Sequence, residues 1–462
     1  MTTIYDAVII GAGPGGLAAA VQARSQGLSV LLLNEQTHLG GQIYHSLETV
    51  SGDKKQILGQ DYLNGQSLLA EFKTSGAEYV PNVKVVSISK ERSICYLDED
   101  KITETQAKQL IISAGAMERP VPVPGWTLPG VMGAASVDIL LKQSDIIPSG
   151  RVVFAGSGPL MLSVICHLID SGVNVAAIID TSAFKNKLAA LAHAGGALSN
   201  PGLLFKGFGM MGKIKKAGIL VVKSAGQIQA VGKDSVEAVL FKQNGKTRQI
   251  KTDLLLLHEG LIPDTQLSRL TGCDHEWVEG QRYFRPIVDD WNQSSVEGIS
   301  LAGDCTGIFG AKTAEFSGRI AGINIAFKLG IISEEKRDKL ALQYVSARKK
   351  ELKIRSFIDA VYPPNKDQII PNDPETMVCR CEEVTVSDIL NAIRDGYTKP
   401  GTIKNKTRSG MGRCQGRMCG TIITQLLSEN LMRPPGKIGY YHVRSMVKPV
   451  TLSQLGNMES KR

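Results

Sequence analysis

A glycine-rich turn between a strand and a helix is the feature that most constrains the fold of this chain. Residues 5–10 and 29–33 read as apolar strands, and a helix pattern lies between them. The turn that precedes the helix carries the spacing Gly-x-Gly-x-x-Gly, at Gly11, Gly13 and Gly16. Such a turn lets the backbone approach a pyrophosphate at the helix N-terminus, so the pattern predicts a dinucleotide-binding β-α-β unit.

Acidic and glycine residues follow several strand patterns of this unit. Glu35 comes after the second strand, where a carboxylate can accept hydrogen bonds from ribose hydroxyls. Two later strands also end in turns, which contain Ala114, Gly115, Gly303 and Asp304. The carboxylate of Asp304 can accept from a polyol, and it can equally cap the helix that follows.

A second β-α-β pattern starts at residue 152. Its turn contains Gly156 and Gly158, but the third glycine position is Met161, which is bulky where close helix–strand packing requires a small residue. Asp180 ends the next strand without an adjacent Arg, which disfavours a 2′-phosphate. The sequence leaves open whether this unit binds NAD, another adenine nucleotide or neither.

Four of the eight cysteines are grouped near the C-terminus. They form two pairs separated by residues 382–413, and they are Cys379, Cys381, Cys414 and Cys419. Two pairs supply the Cys₄ set of a [2Fe–2S] cluster. A zinc site is the direct competitor, although zinc knuckles favour Cys-x-x-Cys, and free thiols are the third alternative. Neither β-α-β unit contains a pair of nearby cysteines, which a disulfide reductase needs next to its flavin. The dithiol mechanism is therefore excluded.

The net charge of +9 is confined to the C-terminal part. Residues 1–330 hold 30 basic and 30 acidic side chains, whereas residues 331–462 hold 23 and 14. Six cations and no acid lie between Lys399 and Arg417, around the second cysteine pair. These cations are better explained by compensation of an anionic cluster, or by docking of an acidic partner, than by nucleic-acid binding. The alternative is an ordinary solvated surface.

The N-terminus has no signal-peptide pattern, and glycines interrupt the most apolar stretch, residues 152–169. We therefore expect a cytoplasmic protein without a transmembrane segment, peripheral to the inner face of the membrane at most, through partners.

The order of these motifs resembles the two-dinucleotide-fold flavoproteins of the glutathione-reductase type, followed by a bacterioferritin-associated-ferredoxin-like (BFD-like) [2Fe–2S] domain. The Cys-x₄-Cys spacing of Cys414 and Cys419 looks like the version fused to flavoproteins. That version is found in the FAD-containing subunit of heteromeric dye-linked amino-acid and opine dehydrogenases, of the octopine or nopaline oxidase, hydroxyproline dehydrogenase and hydrogen cyanide synthase type.

The resemblance implies an α/β fold with two Rossmann-like domains, the second inserted in the first, and a small, mostly helical [2Fe–2S] domain. The implied ranges are 1–120 and 285–330 for the FAD-binding domain, 121–284 for the insert, 331–376 for a connector, 377–435 for the BFD-like domain and 436–462 for a tail. The implied FAD-site residues are Gly11, Gly13, Pro14, Gly16, Glu35, Gly41, Gln42, Val85, Ala114, Gly115, Gly303 and Asp304. Gly156, Gly158 and Asp180 would hold the nucleotide of the insert, and the four grouped cysteines would hold the cluster.

The function that the resemblance implies is electron transfer rather than substrate oxidation by this chain. A partner subunit similar to D-amino-acid or sarcosine oxidase would oxidise the C–N bond, and some members add a small ferredoxin-like subunit. Electrons would pass from the partner's flavin through FAD and [2Fe–2S] to a respiratory or dye acceptor, and we name no catalytic base. The alternative is a self-contained NADH-dependent flavin or ferredoxin-type reductase.

Overall fold

The computed structural model describes residues 3–457. Residues 1–2, at the start of the predicted FAD-binding domain, and 458–462, at the end of the predicted tail, lie outside the described residues. The first part of the chain alternates strands and helices around one sheet. Its elements are β1 (Ile4–Ile10), α1 (Pro14–Ser25), β2 (Val30–Leu33), α2 (Gly52–Leu63), α3 (Gln66–Thr74), β3 (Glu78–Val80), β4 (Lys84–Ile88), β5 (Ser93–Asp98), β6 (Lys101–Ile112) and β7 (Ala116–Glu118).

The second part of the chain builds a separate sheet with its own helices. Its elements are β8 (Val131–Gly133), α4 (Ala134–Ser144), β9 (Val152–Gly156), α5 (Pro159–Asp170), β10 (Val175–Asp180), α6 (Phe184–Ala190), a 3₁₀ turn (Leu191–His193), α7 (Ala194–Leu198), α8 (Pro201–Lys216), β11 (Leu220–Val222), β12 (Gly226–Val231), β13 (Ala238–Gln243), β14 (Lys246–Lys251) and β15 (Leu254–His258).

Crossing strands return the chain to the first sheet. These elements are β16 (Leu261–Pro263), α9 (Gln266–Leu270), β17 (His275–Val278), β18 (Tyr283–Pro286), β19 (Ile299–Leu301), a 3₁₀ turn (Asp304–Thr306) and α10 (Ala311–Lys328). β16 pairs with β7, so the chain leaves and re-enters the first domain through one antiparallel pair.

The first sheet has the strand order β3-β2-β1-β6-β5-β4, and β19 also pairs with β6. β1, β2, β6 and β19 are parallel, so their carboxyl ends lie at one edge. Helix α1 packs closely on α10 because both present small residues: a Cβ on Gly318 would lie 2.0 Å from the carbonyl oxygen of Gly15. The glycine turn, the end of β6 and the turn after β19 therefore meet at one place.

The second sheet has the order β11-β10-β9-β15-β8, with a separate antiparallel sheet β12-β13-β14 beside it. Met161 is buried in the core between this sheet and α5, so the side chain at the third glycine position packs as an ordinary core residue. The two Rossmann-like units of the predicted fold class are confirmed, with the second inserted between β7 and β16.

The predicted end of the insert at residue 284 stays a prediction, and the structure adds where the neighbouring residues pack. β15 ends at His258, and Leu267 and Cys273 pack in the core of the first domain. Leu267 lies on α9, and Cys273 follows that helix. Both belong to a core cluster that includes Val85, and such a tertiary contact cannot be predicted from the local sequence pattern. The other predicted boundaries stay predictions.

The remaining chain forms one long helix, the cysteine-containing domain and a returning tail. Its elements are α11 (Glu334–Val361), α12 (Lys366–Ile369), β20 (Met377–Cys379), β21 (Val384–Thr385), α13 (Val386–Arg394), α14 (Pro400–Thr407), α15 (Gly420–Leu431), α16 (Pro435–Ile438) and α17 (Leu452–Gly456). Within residues 3–457, none of the helices combines the length and the apolar character that crossing a bilayer requires.

Candidate functional site: a glycine edge and a cysteine loop

The glycine turn after β1 forms an open cradle at the carboxyl edge of the first sheet, and we call this part of the sheet the glycine edge. Gly11 has a φ of +102°, and a Cβ on Gly16 would lie only 1.8 Å from the carbonyl oxygen of Gly11. Pro14 occupies the first turn of α1, where its missing N–H costs nothing. Gly41 closes against Gly13 from the facing loop, with a Cβ position 2.8 Å from the Cα of Gly13. The free N–H groups of a helix start and this lack of side chains fit a pyrophosphate.

Glu35 lies just past the end of β2, where the ribose of a bound dinucleotide is expected. Its carboxylate accepts from the Lys448 ammonium, with Nζ–O distances of 2.9 and 3.1 Å, and the Glu35 side chain remains half exposed. The adjacent Asn34 holds the turn, because its Oδ1 accepts from the Ala12 N–H at 3.3 Å. The ion pair to the tail was not predicted from the sequence.

The other predicted FAD residues lie around the same edge. The Oδ1 of Asp304 accepts from the backbone N–H groups of Phe309 and Gly310, both at 3.1 Å, and burial raises the pKa of this carboxyl. Gly303, Ala114 and Gly115 form the turns that follow β19 and β6.

Two further predicted FAD-site positions, Val85 and Gln42, also make contacts within the protein. Val85 is buried in the core of the first domain. Gln42 is exposed, and its carbonyl oxygen lies 3.5 Å from the ammonium of Lys142, which is itself paired with Asp138 at 2.7 Å. Lys142 and Asp138 are on α4, so this contact joins the first domain to the insert.

The corresponding edge of the second sheet is filled by the protein itself. The imidazole of His258 packs 3.3 Å from the Cβ position of Gly158, and its Nδ1 lies 2.7 Å from a carboxylate oxygen of Glu118. Glu118 in turn accepts from the Ala135 N–H at the start of α4. Asp180 accepts from the Ser182 N–H at 2.9 Å, so it caps its own turn.

The segment after α11 completes this closure. Asn365 donates its backbone N–H to a carboxylate oxygen of Glu259 at 2.9 Å and its side-chain amide to the Thr181 carbonyl at 3.1 Å. The Thr181 hydroxyl donates to the other oxygen of Glu259 at 2.5 Å. Burial raises the pKa of Glu259 to about 7, despite these hydrogen bonds. A chain segment thus lies over the ends of β10 and β15, where a second nucleotide would bind.

The four grouped cysteines lie on two facing loops of the C-terminal domain. Cys379 ends β20, Cys381 follows in the next turn, and Cys419 immediately precedes α15. The neighbouring Cys419 thiol, together with backbone N–H groups of residues 410, 382 and 381, lowers the pKa of Cys379 to about 5. Cys414 lies beside Cys381 across the two loops, and burial together with this neighbouring thiol raises the pKa of Cys414.

This arrangement fits a [2Fe–2S] cluster. The contacts join Cys379 to Cys419 and Cys381 to Cys414, whereas sequence proximity suggests pairs within each loop. Among the described residues no group of three or more His, Cys, Asp or Glu side chains could hold a single metal ion. A two-iron cluster with four thiolates needs only two per iron. The start of α15 beside Cys419 adds partial positive charge next to an anionic centre.

We call residues 409–420, which contain Cys414 and Cys419, the cysteine loop. Aromatic side chains cover one side of this loop. The hydroxyl of Tyr441 lies 3.9 Å from the Cys419 sulfur and 3.2 Å from the Ser409 hydroxyl. Tyr440 packs on Gly420 and donates to the Gly416 carbonyl at 3.0 Å. Neither tyrosine was predicted from the sequence, because neither belongs to a spaced motif.

The cysteine loop is linked to the glycine edge through one ion pair. Arg417 donates from Nε to the Cys414 carbonyl at 3.2 Å, and its Nη1 lies 3.8 Å from the Asp264 carboxylate. Asp264 donates its backbone N–H to the Gly115 carbonyl at 3.0 Å. The cavity between these loops has a volume of about 30 Å³, enough for one water. Two other cations of the basic stretch are also paired, Lys406 with Asp395 and Arg408 with Glu382.

Comparison with known proteins agrees with both halves of the site. Residues 5–330 match the family described as pyridine nucleotide-disulphide oxidoreductase, and residues 377–429 match the BFD-like [2Fe-2S] binding domain. The A-subunit of opine oxidase from Agrobacterium tumefaciens (strain Ach5) is 36% identical, with 99% of this chain and 92% of the relative covered. Hydrogen cyanide synthase subunit HcnB of Pseudomonas protegens is 32% identical, with 96% of each chain covered.

A solved structure, L-proline dehydrogenase from P. horikoshii, has the same fold, with a TM-score of 0.72 at 19% identity over 98% of this chain and 80% of that one. The family matches imply FAD at the glycine edge and an iron–sulfur cluster at the cysteine loop, and the residues at both places fit these groups. The chain belongs to the pyridine nucleotide-disulphide oxidoreductase family, in the group of the opine oxidase A-subunit and hydrogen cyanide synthase subunit HcnB that carries a BFD-like [2Fe–2S] domain.

Proposed function

We propose that this chain is the electron-transferring FAD and [2Fe–2S] subunit of a heteromeric dehydrogenase that oxidises an amino acid, an imino acid or an opine. Its relatives are named as subunits of opine oxidase and hydrogen cyanide synthase, and more distant ones as the alpha subunit of sarcosine oxidase. The substrates would be of the hydroxyproline, octopine or nopaline, or glycine class. A partner subunit resembling D-amino-acid or sarcosine oxidase would bind them.

The observation that carries the proposal is the short link between the two redox sites of one chain. Arg417 connects the cysteine loop to Asp264, and Asp264 holds the turn at Gly115. Bound FAD can exchange two electrons with a donor and single electrons with a cluster, which a [2Fe–2S] centre accepts one at a time. In this proposal the residues of the chain hold both groups, keep them at a fixed separation and exclude bulk water between them.

The assignment of individual residues belongs to the same proposal. Gly11, Gly13, Pro14, Gly16 and Gly41 would hold the pyrophosphate, with Glu35 at the ribose and Asp304 at the ribityl chain. Gln42, Val85, Ala114, Gly115 and Gly303 would line the remaining site. The cluster ligands would be the four grouped cysteines.

The alternative, a self-contained NADH-dependent reductase, has less support from the structure. Gly156, Gly158 and Asp180 lie where a nucleotide would bind, but His258, Glu259 and Asn365 fill that edge. We therefore propose that NAD is not a reductant of this chain. We also propose a cytoplasmic location, with any peripheral membrane contact and any small ferredoxin-like subunit as parts of the complete complex.

The test is to purify the native complex and identify its subunits. The complex is then assayed with glycine, hydroxyproline, proline, octopine and nopaline and an artificial dye as acceptor. We expect flavin bleaching by one of these substrates only when the partner subunit is present. Rapid anaerobic bleaching of the isolated chain by NADH would contradict the proposal and support the reductase.

A further inference from the structure

The connection between β10 and β11 carries an unusual set of exposed side chains. These strands are parallel neighbours in the second sheet, and residues 181–219 join them through α6, α7 and α8. We call residues 184–216 the crossover helices. Of the nineteen large apolar side chains exposed in the described structure, eight lie here, namely Phe184, Leu188, Leu191, Leu198, Leu203, Phe205, Phe208 and Met211.

The apolar residues follow helical spacing on the outer faces. Phe184, Leu188 and Leu191 stand at positions i, i+4 and i+7, with 55–67% of each side chain exposed. On α8, Phe205 and Phe208 are 74% and 63% exposed, while Ile214 faces the protein and is buried. Single exposed apolar residues are ordinary, but a concentration of this kind marks a surface that contacts something else.

The charge of the same segment has one sign. Residues 184–216 contain six lysines and no Asp, Glu or Arg. Two of them are paired with acids from other segments, Lys206 with Asp61 and Lys213 with Asp170. The exposed lysines next to the apolar faces are Lys185, Lys187, Lys215 and Lys216.

We infer that the crossover helices bind an anionic lipid surface, with their phenylalanine and leucine side chains at the acyl boundary and their lysines at the headgroups. Helices with Phe and Leu on one face and Lys on the other lie in the membrane interface, and each lysine near an anionic leaflet adds to the attraction. A protein partner fits the charge less well: Phe and Met are common at protein interfaces, but Lys is depleted there and Arg, Tyr and Trp are enriched. Residues 181–233 contain none of those three enriched residue types.

This inference deepens the proposed function and rests on it, because a respiratory acceptor is reached at a membrane. It adds that the chain contacts lipid through its own insert rather than only through partners. The second nucleotide-type domain would then serve to position the redox sites at the bilayer surface.

The test is flotation of the purified full chain, loaded with FAD and cluster, with vesicles of phosphatidylcholine alone or mixed with phosphatidylglycerol. We expect partition into the anionic vesicles to exceed that into the neutral ones by at least about tenfold, and to fall with added salt. Equal partition, or none into the anionic vesicles, would overturn the inference.

Two variants separate the apolar and the charged contributions. Phe184→Ser/Phe205→Ser/Phe208→Ser and Lys185→Gln/Lys187→Gln/Lys215→Gln/Lys216→Gln should each reduce partition about tenfold or more. The matched controls change exposed residues elsewhere and should leave partition unchanged: Ile331→Ser/Leu342→Ser/Met432→Ser and Lys336→Gln/Lys339→Gln/Lys349→Gln/Lys350→Gln. Bound FAD and dye-linked activity of the complex should be retained in all four.

Loss of partition with retained dye-linked activity supports the lipid contact and the proposed function together. If the first two variants instead abolish assembly with the partner subunit, and partition of the wild-type chain does not depend on anionic lipid, the surface belongs to that subunit and the inference is wrong. Absence of dye-linked activity in the wild-type complex, with lipid binding intact, would count against the proposed function alone.

Discussion

The two Rossmann-like domains share a strand order at their centres but differ at the edge where a dinucleotide would bind. In the first domain, three glycines and Gly41 leave the edge free of side chains. In the second, Met161 takes the third glycine position, and His258 fills the space beside Gly158. Two similar glycine-rich turns therefore differ in access, because the following helix and the neighbouring strand ends stay clear in one domain and not in the other.

The second edge is also covered by a different part of the chain. Asn365 lies after the long helix α11 and bonds to Glu259 and Thr181. At the first edge, Lys448 of the tail pairs with Glu35, whose side chain stays half exposed. Closure in one domain and access in the other therefore come from how C-terminal segments return to each sheet.

The largest expected effect comes from giving the first edge the residue of the second. Gly16→Met should leave almost no FAD bound to the chain, because even a Cβ would lie 1.8 Å from the Gly11 carbonyl oxygen. FAD is measured by absorbance after gel filtration. Iron content and circular dichroism show whether the variant folds, and normal FAD in a folded variant would contradict the assignment.

The reciprocal variant Met161→Gly is the matched control for this comparison. It should leave FAD content unchanged and create no NADH binding, because His258 and Asn365 still fill the edge.

The buried carboxyl of Glu259, at the covered edge of the second sheet, should make the stability of the protein depend on pH. Burial raises the pKa of Glu259 to about 7, so the folded state favours the protonated acid. The resulting stability is fully present below the unfolded pKa of about 4.3 and is lost as pH rises to about 7, a change of roughly 4 kcal/mol. Glu259→Gln should flatten the unfolding free energy over this window and raise it at pH 8.

The measurement is denaturant unfolding of both chains between pH 5 and 8, and Glu375→Gln at an exposed position serves as the control. An unchanged pH profile in Glu259→Gln would show that this carboxyl is ionised in the folded protein.

A third test concerns the iron–sulfur cluster expected at the four grouped cysteines. Tyr441→Phe removes the hydroxyl 3.9 Å from the Cys419 sulfur, and loss of a donor to a cluster thiolate lowers the reduction potential. If the hydrogen bond favours the reduced cluster by about 1 kcal/mol, the shift is about 40 mV for one electron. A redox titration followed by electron paramagnetic resonance measures it. Tyr397→Phe, in the same domain, should leave the potential unchanged.

The smallest effect is expected at the ion pair on the open edge. Lys448→Gln removes the partner of Glu35, but half of the Glu35 side chain is exposed, so the free energy of unfolding should fall by less than about 1 kcal/mol. The difference from wild type should shrink at high salt. A larger loss, independent of salt, would mean that Lys448 supports the fold through packing instead.

The features that the sequence predicts are those with a local signal. The β-α-β unit from β1 to Glu35, the strand end at Asp304 and the cysteine pairs are each set within short stretches of chain. The hydrogen bonds of Asn365 to Glu259 and of Lys448 to Glu35 could not be predicted, because they join residues 106 and 413 positions apart that share no motif. The crossed contacts between the two cysteine pairs depend on how their loops face each other, which spacing does not specify.

The returning tail also bears on how the protein is made. Val447 is buried in the core of the first domain and bonds to Val86, although the ribosome completes β1–β6 hundreds of residues earlier. β19 and α10, which complete the same domain, are likewise translated after the whole insert. The core of the first domain is therefore incomplete during most of synthesis. We expect it to become complete only when the residues near 447 have left the ribosome. We expect nascent chains stopped before this point to need protection from aggregation, although they already contain every glycine of the FAD edge.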